Sequence, residues 1–283
     1  MGTNHLTVQQ RASLGSLLQD PSYELIPLKS AVAAASHLPD GATISVTASS
    51  SGMAATMELA AELAGEGFHV IPHLSARLTE NLAELQTVID VSSKAGITEA
   101  FVVGGDFPVA GPFPDGLSLL EALADLGHPF TRIGLPGYPD GHPHIRDDTL
   151  HQALVDKAPY AAWVTTQMCF SDHAVTAWVH DLRRKGIVLP VVIGIPGVAE
   201  VRKLLTVATR IGVGDSVRFL ASHSGLMGRL VRPGGYAPDE LLTALSPLCA
   251  GSNAGVAGFH FYTFNQVKTT EQWRIAFLDE LQV

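Results

Sequence analysis

Eight short apolar runs alternate with helical stretches along almost the whole chain, and this alternation limits the possible folds more than any other feature. The β-like runs cover residues 23–26, 42–49, 69–76, 99–106, 131–138, 161–168, 190–195 and 256–265. Most of them are continuously apolar, as expected for parallel strands that are buried on both faces. The pattern therefore predicts an α/β fold with a parallel sheet.

Helical periodicity fills the gaps between these runs, at residues 31–38, 54–64, 81–94, 118–126, 147–157, 174–185, 198–210 and 270–281. A glycine follows several of these stretches, which is a common helix stop. Eight such units in roughly 250 residues predict a single (β/α)8 TIM barrel over residues 21–283. Residues 1–20 are then an N-terminal extension or a helix packed on the barrel. A doubly wound open sheet is the alternative, but no Gly-x-Gly-x-x-Gly follows the first strand.

The stretch between the seventh and eighth strands is longer than one β/α unit requires. Residues 215–229 and 238–248 both have helical patterns, and a turn-forming Arg232-Pro-Gly-Gly-Tyr236 segment separates them. We interpret these as extra helices inserted over the barrel mouth rather than as a second domain.

Charge and cysteine content exclude several classes of protein. The net charge is −9, from 18 basic and 27 acidic residues, which argues against a nucleic-acid or membrane-surface partner. Two cysteines cannot form a disulfide framework, and no segment has the apolar length of a membrane span. We expect a cytoplasmic protein with small-molecule partners. The sequence leaves open whether it forms a homo-oligomer.

Polar side chains end or follow nearly every predicted strand. They include Glu24, Thr47, His73, Asp106, Tyr138, His142, Gln167, His260 and Tyr262. Each of them alone has an ordinary structural explanation. In TIM barrels, however, the active site forms at the carboxyl ends of the strands, so their joint placement indicates one site.

Several chemistries fit this rim poorly. No nucleophile elbow or phosphate-binding loop occurs, and strands four and seven lack the glutamate expected of a glycosidase. His142-x-His144 with a nearby acid suggests a metal-dependent hydrolase, although no His-Glu-x-x-His is present. The rim is better suited to a planar heterocycle, because the Gln167 amide offers a donor and an acceptor and glycine-rich edges admit a flat ring.

Eight short motifs occur in the same order in the 5,10-methylenetetrahydrofolate reductases, which the chain resembles from about residue 22 to 283. They are Ser-Tyr-Glu24-Leu-Ile-Pro, Ile-Ser-Val-Thr47, Pro-His73-Leu-Ser, Gly105-Asp106-x-Pro108, Gly137-Tyr-Pro-Asp-Gly-His142-Pro, Thr166-Gln167-Met-Cys-Phe, Ile195-Pro-Gly and Gly258-Phe-His-Phe-Tyr-Thr-Phe-Asn265. Each motif is weak by itself, but eight in order on predicted barrel strands are specific.

The resemblance implies hydride transfer from NADH or NADPH, usually through bound FAD, onto the methylene carbon of 5,10-methylenetetrahydrofolate. Glu24 resembles the family's acid, which promotes opening of the imidazolidine ring. Asp106 resembles the acidic residue that contacts the pterin and tunes the flavin, and Gln167 resembles the amide that reads the pterin.

The resemblance also implies a cofactor pocket and no metal. The pocket comprises Thr47, His73, Gly104, Gly105, Asp106, Tyr138, His142, Gln152 and Lys157. The chain departs from the family at Gly104, where an arginine is common, and in the fifth helix, where the basic cluster is reduced to Lys157. Without these cations a flavin diphosphate loses charge-assisted contacts. Direct hydride transfer from NAD(P)H without flavin is therefore the alternative, and a metal-dependent hydrolase using His142 and His144 is the alternative from another class.

Overall fold

Eight parallel strands close into a barrel in the computed structural model, and they follow one another around it in chain order. The strands are β1 (Ser22–Leu25), β2 (Thr43–Val46), β3 (His69–Ser75), β4 (Glu99–Val103), β5 (Arg132–Gly137), β6 (Trp163–Thr166), β7 (Val191–Pro196) and β8 (Val256–Tyr262). The structure describes residues 3–48, 52–105, 111–200 and 235–282. Because β8 returns to pair with β1, the predicted (β/α)8 barrel is confirmed.

Helices surround the barrel. Those within the described residues are α1 (Val8–Leu17), α2 (Ala31–Ala35), α3 (Met53–Gly65), α4 (Leu82–Ala95), α5 (Gly116–Leu126), α6 (Asp147–Lys157), α7 (Asp172–Arg184), α8 (Asp239–Ala250) and α9 (Val267–Leu281). Helix α8 is one of the two extra helices predicted before β8. The helices predicted over 198–210 and 215–229 lie almost wholly or wholly outside the described residues.

Local sequence signals explain where several helices begin and end. The Asn81 side chain accepts a hydrogen bond from the backbone N–H of Glu84 at 2.9 Å and so caps α4. Asp115 caps α5 and exchanges hydrogen bonds with Ser118 in a capping box. Helix α4 ends at Gly96, whose φ of 68° lies in the left-handed region that glycine tolerates.

The main apolar core lies between the barrel and its helices, where the outward faces of the strands pack. A smaller apolar cluster of Ile71, Phe101 and Trp163 fills part of the barrel interior. Arg132 forms a salt bridge with Glu99 at 2.8 Å, and its guanidinium lies 5.1 Å from the centre of the Trp163 ring. Arg132 and Glu99 begin β5 and β4, so these contacts lie at the amino-terminal end of the barrel.

The N-terminal helix α1 packs against α8 and α9. Beneath it, the hydroxyl group of Tyr23 on β1 donates to Glu271 on α9, and Arg274 binds both oxygens of the same carboxylate. Arg274 also donates to the carbonyl of Leu18 at 2.8 Å. This buried cluster ties the segment after α1 to the barrel. The division of the chain at residue 20 stays a prediction.

No helix among the described residues is both long enough and apolar enough to cross a membrane.

Candidate active site

Glu24 lies near the carboxyl end of β1 and is buried, with 8% of its surface exposed. Nε2 of His260 on β8 is 3.7 Å from Oε2 of Glu24. The other ring nitrogen of His260, Nδ1, is 2.8 Å from the hydroxyl oxygen of Ser22 on β1. The carboxyl group thus lies beside an imidazole whose orientation a hydroxyl group fixes.

The segment after β8 holds the backbone around Glu24. Thr263 donates a hydrogen bond from its hydroxyl group to the Glu24 carbonyl. The Asn265 side chain accepts from the N–H of Ile26 at 2.8 Å and donates to the carbonyl of Ile26 at 3.0 Å. Asn265 has a φ of 60°, which asparagine tolerates better than most residues. These two polar residues therefore extend the β8–β1 pairing beyond Tyr262 and fix the strand that carries the acid.

Gln167 follows β6 directly and is half-buried. Its backbone N–H donates to the carbonyl of Gly137 at 2.7 Å. Its side-chain oxygen accepts from the backbone N–H of Met168 at 2.8 Å. Among the described residues none accepts a hydrogen bond from the amide nitrogen, so this nitrogen remains a donor for a ligand.

Tyr262 on β8 lies between Glu24 and the segment that carries Gln167. Its hydroxyl group donates to the carbonyl of Thr166 at 2.9 Å, and the Thr166 hydroxyl accepts from the N–H of Gly194 at 2.8 Å. Burial raises the pKa of Tyr262 well above its ordinary value, and the negative charge of Glu24 raises it further. The phenol therefore remains neutral and keeps its proton for the hydrogen bond.

His73 points into the barrel interior rather than out of its mouth. Its Nε2 is 2.6 Å from the Ser45 hydroxyl oxygen, and its ring lies 4.8 Å from that of Phe101. A cavity of about 20 Å³ separates it from His260. Burial, and then the nearby His260, lower the pKa of His73 from 6.5 to about 3, so the ring is neutral.

Thr47, Gly104 and Gly105 lie at the mouth after β2 and β4. The N–H of Thr47 donates to the carbonyl of Leu25 at 2.9 Å, which fixes the loop after β2. Gly105 has a φ of 88°, and a Cβ atom there would lie 2.3 Å from the Ser75 hydroxyl oxygen. A Cβ atom on Gly104 would meet no atom of the described residues within 4 Å. None of the residues that the structure describes therefore blocks a flat ring from the backbone at Gly104.

Tyr138 and His142 form the next part of the mouth, after β5. Their ring centres are 5.2 Å apart and their planes are almost perpendicular. Nδ1 of His142 accepts a hydrogen bond from the backbone N–H of His144 at 3.2 Å. The two rings form a partly exposed aromatic edge.

Lys157 and the backbone of Arg77 lie beside the Gly104–Gly105 turn. A Cβ atom on Gly116 would lie 3.7 Å from both Cδ of Lys157 and the backbone nitrogen of Gly104. Burial lowers the pKa of Lys157, while the nearby Asp115 acts in the opposite direction. Arg77 donates from its backbone N–H to the Gly104 carbonyl at 3.0 Å.

Gln152 does not join this arrangement: it is exposed on α6 and donates to Asp156 at 2.7 Å, one helical turn away. His73 lies beneath the mouth, in the barrel interior. The predicted residue Asp106 lies outside the described residues. The residues at the mouth divide into two groups. The β6–β1 side comprises Glu24, Thr166, Gln167 and Tyr262, and the β2–β5 side comprises Thr47, Gly104, Gly105, Tyr138, His142 and Lys157.

The sequence analysis names His260 and Tyr262 among the polar residues of the strand ends but assigns them no role. It also assigns no role to Ser22, Ser45 and Arg77, which the geometry brings near the site. The period-2 alternation of strands is the signal that could have found Ser22, because Ser22 and Glu24 are two positions apart and face the same side.

The metal-dependent alternative finds little support in the geometry of the loop after β5. Across the four described ranges, no group of three or more His, Cys, Asp or Glu residues could hold a metal ion. The ring centres of His142 and His144 are 6.1 Å apart, and Nδ1 of His142 is used by a backbone N–H.

Comparison with known families decides the class. The family described as methylenetetrahydrofolate reductase matches residues 28–219, which is more than half of the chain. The chain belongs to the methylenetetrahydrofolate reductase family. This confirms the resemblance drawn from the eight motifs and supports a function like that of these reductases.

Solved structures similar to this chain have low sequence identity. A proposed phosphonomutase from Burkholderia cenocepacia J2315 is 14% identical with a TM-score of 0.44, over 97% of this chain and 99% of that chain. Dihydropteroate synthase from Xanthomonas albilineans, in complex with 7,8-dihydropteroate, is 14% identical with a TM-score of 0.45, over 94% of this chain and 95% of that chain.

Proposed function

We propose that the protein reduces 5,10-methylenetetrahydrofolate to 5-methyltetrahydrofolate, with NADH or NADPH as the source of hydride. The observation that carries this proposal is that a member of this family has a buried carboxyl group and an amide donor unused by the described residues, both on the β6–β1 side of the mouth. Glu24 supplies the carboxyl group and Gln167 the amide. A pterin ring needs both a proton donor and a hydrogen-bonding edge that recognises it.

In this proposal Glu24 is the general acid. In the reaction its carboxyl group donates a proton to a folate nitrogen, the imidazolidine ring opens, and the methylene carbon becomes electrophilic toward hydride. His260 lies 3.7 Å away and is itself held by Ser22, so it orients the carboxyl group. Burial excludes water that would compete for the proton.

Gln167 binds the pterin edge through its amide nitrogen, since its oxygen already accepts from Met168. Asp106 is assigned the second polar contact to the pterin. Its position after Gly104 and Gly105, at the end of the predicted fourth strand, supports this assignment.

We further propose that FAD binds on the β2–β5 side. Three observations fit such a group: the backbone at Gly104 that no described residue covers, the aromatic edge of Tyr138 and His142, and the half-buried ammonium of Lys157. Lys157 makes no hydrogen bond or salt bridge with any described residue, so it can bind a phosphate oxygen. Bound FAD would accept hydride from NAD(P)H and pass it to the folate. Thr47 and Gly104 would position its ring, and Lys157 would bind its diphosphate.

The test is NAD(P)H oxidation by the purified protein with and without methylenetetrahydrofolate, together with its absorbance spectrum. Folate-dependent oxidation and the visible bands of flavin are expected. Folate-dependent oxidation by a colourless protein would overturn the FAD assignment and establish direct transfer from NAD(P)H. Absence of folate-dependent oxidation with either nucleotide, even after FAD is added, would overturn the proposed function.

A further inference from the structure

The peptide bond between Thr166 and Gln167 is held at both ends by other strands. Its carbonyl accepts the hydroxyl proton of Tyr262 on β8 at 2.9 Å. Its N–H donates to the carbonyl of Gly137 on β5 at 2.7 Å. Because the two groups belong to one rigid plane, these hydrogen bonds fix its rotation. The direction in which the Gln167 side chain leaves the backbone follows from that rotation.

The contact between Tyr262 and Thr166 requires a glycine on the strand between them. A Cβ atom on Gly194 of β7 would lie 2.1 Å from the Thr166 carbonyl oxygen and 2.7 Å from Cε2 of the Tyr262 ring. The N–H of Gly194 also donates to the Thr166 hydroxyl at 2.8 Å. Gly194 therefore both admits the phenol and holds the residue that the phenol contacts.

Tyr262 is also the strand partner of the proposed acid. Glu24 on β1 pairs with Tyr262 in the β1–β8 register, and the His260 ring lies 4.8 Å from that of Tyr262. One side chain thus contacts the peptide that carries the amide and lies on the strand next to the carboxyl group. Its hydroxyl proton is committed to the Thr166 carbonyl, so the contact serves geometry rather than proton transfer.

We propose that Tyr262 is a positioning residue that fixes the Thr166–Gln167 peptide and thereby aims the Gln167 amide at the folate bound over Glu24. This inference rests on the proposed function. Removing the hydroxyl group leaves the ring packing intact but releases the carbonyl end of the peptide. Binding of the folate is then weakened, whereas the proton chemistry of Glu24 is preserved.

The test compares Tyr262→Phe with the wild type in three measurements. Hydrogen exchange at the backbone N–H of Gln167 is followed by NMR. The Kd for 5-methyltetrahydrofolate is measured by titration, and kcat and KM with methylenetetrahydrofolate are measured by NAD(P)H oxidation. We expect faster exchange at Gln167, a Kd and a KM raised about tenfold, and a kcat within about threefold of the wild type. Tyr160→Phe is the matched control, because Tyr160 is 37% exposed in the turn before β6.

Unchanged exchange at Gln167, or an unchanged Kd with normal folate binding by the wild type, would overturn the positioning role alone. A fall in kcat with KM unchanged would also overturn it, since that result would give the phenol a part in the chemical step. Failure of the wild-type protein to bind 5-methyltetrahydrofolate at all would contradict the proposed function, and the positioning role would fall with it.

Discussion

The two sides of the barrel mouth differ in how far the protein's own residues hold them in place. On the β6–β1 side, Tyr262, Thr166 and Gln167 form a chain of hydrogen bonds that runs through β5, β7 and β8, and Thr263 and Asn265 hold the strand of Glu24. On the β2–β5 side, no atom of the described residues covers the position of a Cβ on Gly104 within 4 Å.

The difference indicates two kinds of binding. The β6–β1 side is preorganised: its polar groups have fixed directions, which suits an acid and an amide that must meet particular atoms of a small ring. The described part of the β2–β5 side offers glycine backbone, an aromatic edge and the Lys157 side chain. This suits a large flat cofactor that supplies many of the contacts itself.

Replacing the acid should give the largest effect. Glu24→Gln removes the transferable proton while keeping the size of the side chain, so folate reduction should slow by roughly 10²- to 10⁴-fold. With FAD bound, oxidation of NAD(P)H by a quinone should keep its rate because that acceptor does not require the proton. Glu58→Gln, on the exposed face of α3, is the control. Equal losses with folate and quinone would show that Glu24 does not serve the folate alone.

A methyl group added at the centre of the preorganised side should be the next largest perturbation. Gly194→Ala forces a Cβ atom against the Thr166 carbonyl and the Tyr262 ring, and should lower the free energy of unfolding by about 1–3 kcal/mol in urea. Gly258→Ala, on adjacent β8, adds a Cβ atom that meets no atom of the described residues within 4 Å and should be neutral or slightly stabilising. Similar effects of the two changes would contradict the close packing argued for Gly194.

The sequence predicted the fold well because each strand and helix carries its own local signal. All eight strands overlap their predicted runs, and α6 has the predicted bounds. The parity of inward-facing residues also puts Ser22 beside Glu24. What the sequence could not give is contact across the barrel: the hydrogen bond from Tyr262 to Thr166 joins residues 96 positions apart. Nor could periodicity show that Gln152 pairs with Asp156 on the outside of α6.

Removing one cation should matter on the β2–β5 side. Gly104 stands there where the family commonly has an arginine, and Lys157 is what remains of the family's basic cluster. Lys157→Ala should raise the Kd for FAD added to the cofactor-free protein about tenfold, or ~1.4 kcal/mol, and should make binding less sensitive to salt. Lys94→Ala is a matched control, since Lys94 is an exposed lysine in the last turn of α4. FAD binding that is equally tight in the Lys157 variant would place the diphosphate elsewhere.

His73 lies beneath the β2–β5 side of the mouth. Its ring is hydrogen-bonded to the Ser45 hydroxyl group in the barrel interior and does not point out of the mouth. Burial lowers its pKa from 6.5 to about 3, so between these values the unfolded chain binds a proton that the folded protein does not. The free energy of unfolding is therefore unaffected by His73 protonation above pH 6.5. It decreases as the pH falls toward 3, by at most about 1.4 kcal/mol per pH unit. His73→Gln should therefore make urea stability less dependent on pH in this window, whereas His37→Gln, at an exposed position, should keep the wild-type slope. If the pH dependence of urea stability were identical in all three proteins, the His73 ring would be protonated as easily in the folded protein as in the unfolded chain. The ring would then not be buried in a rigid barrel interior.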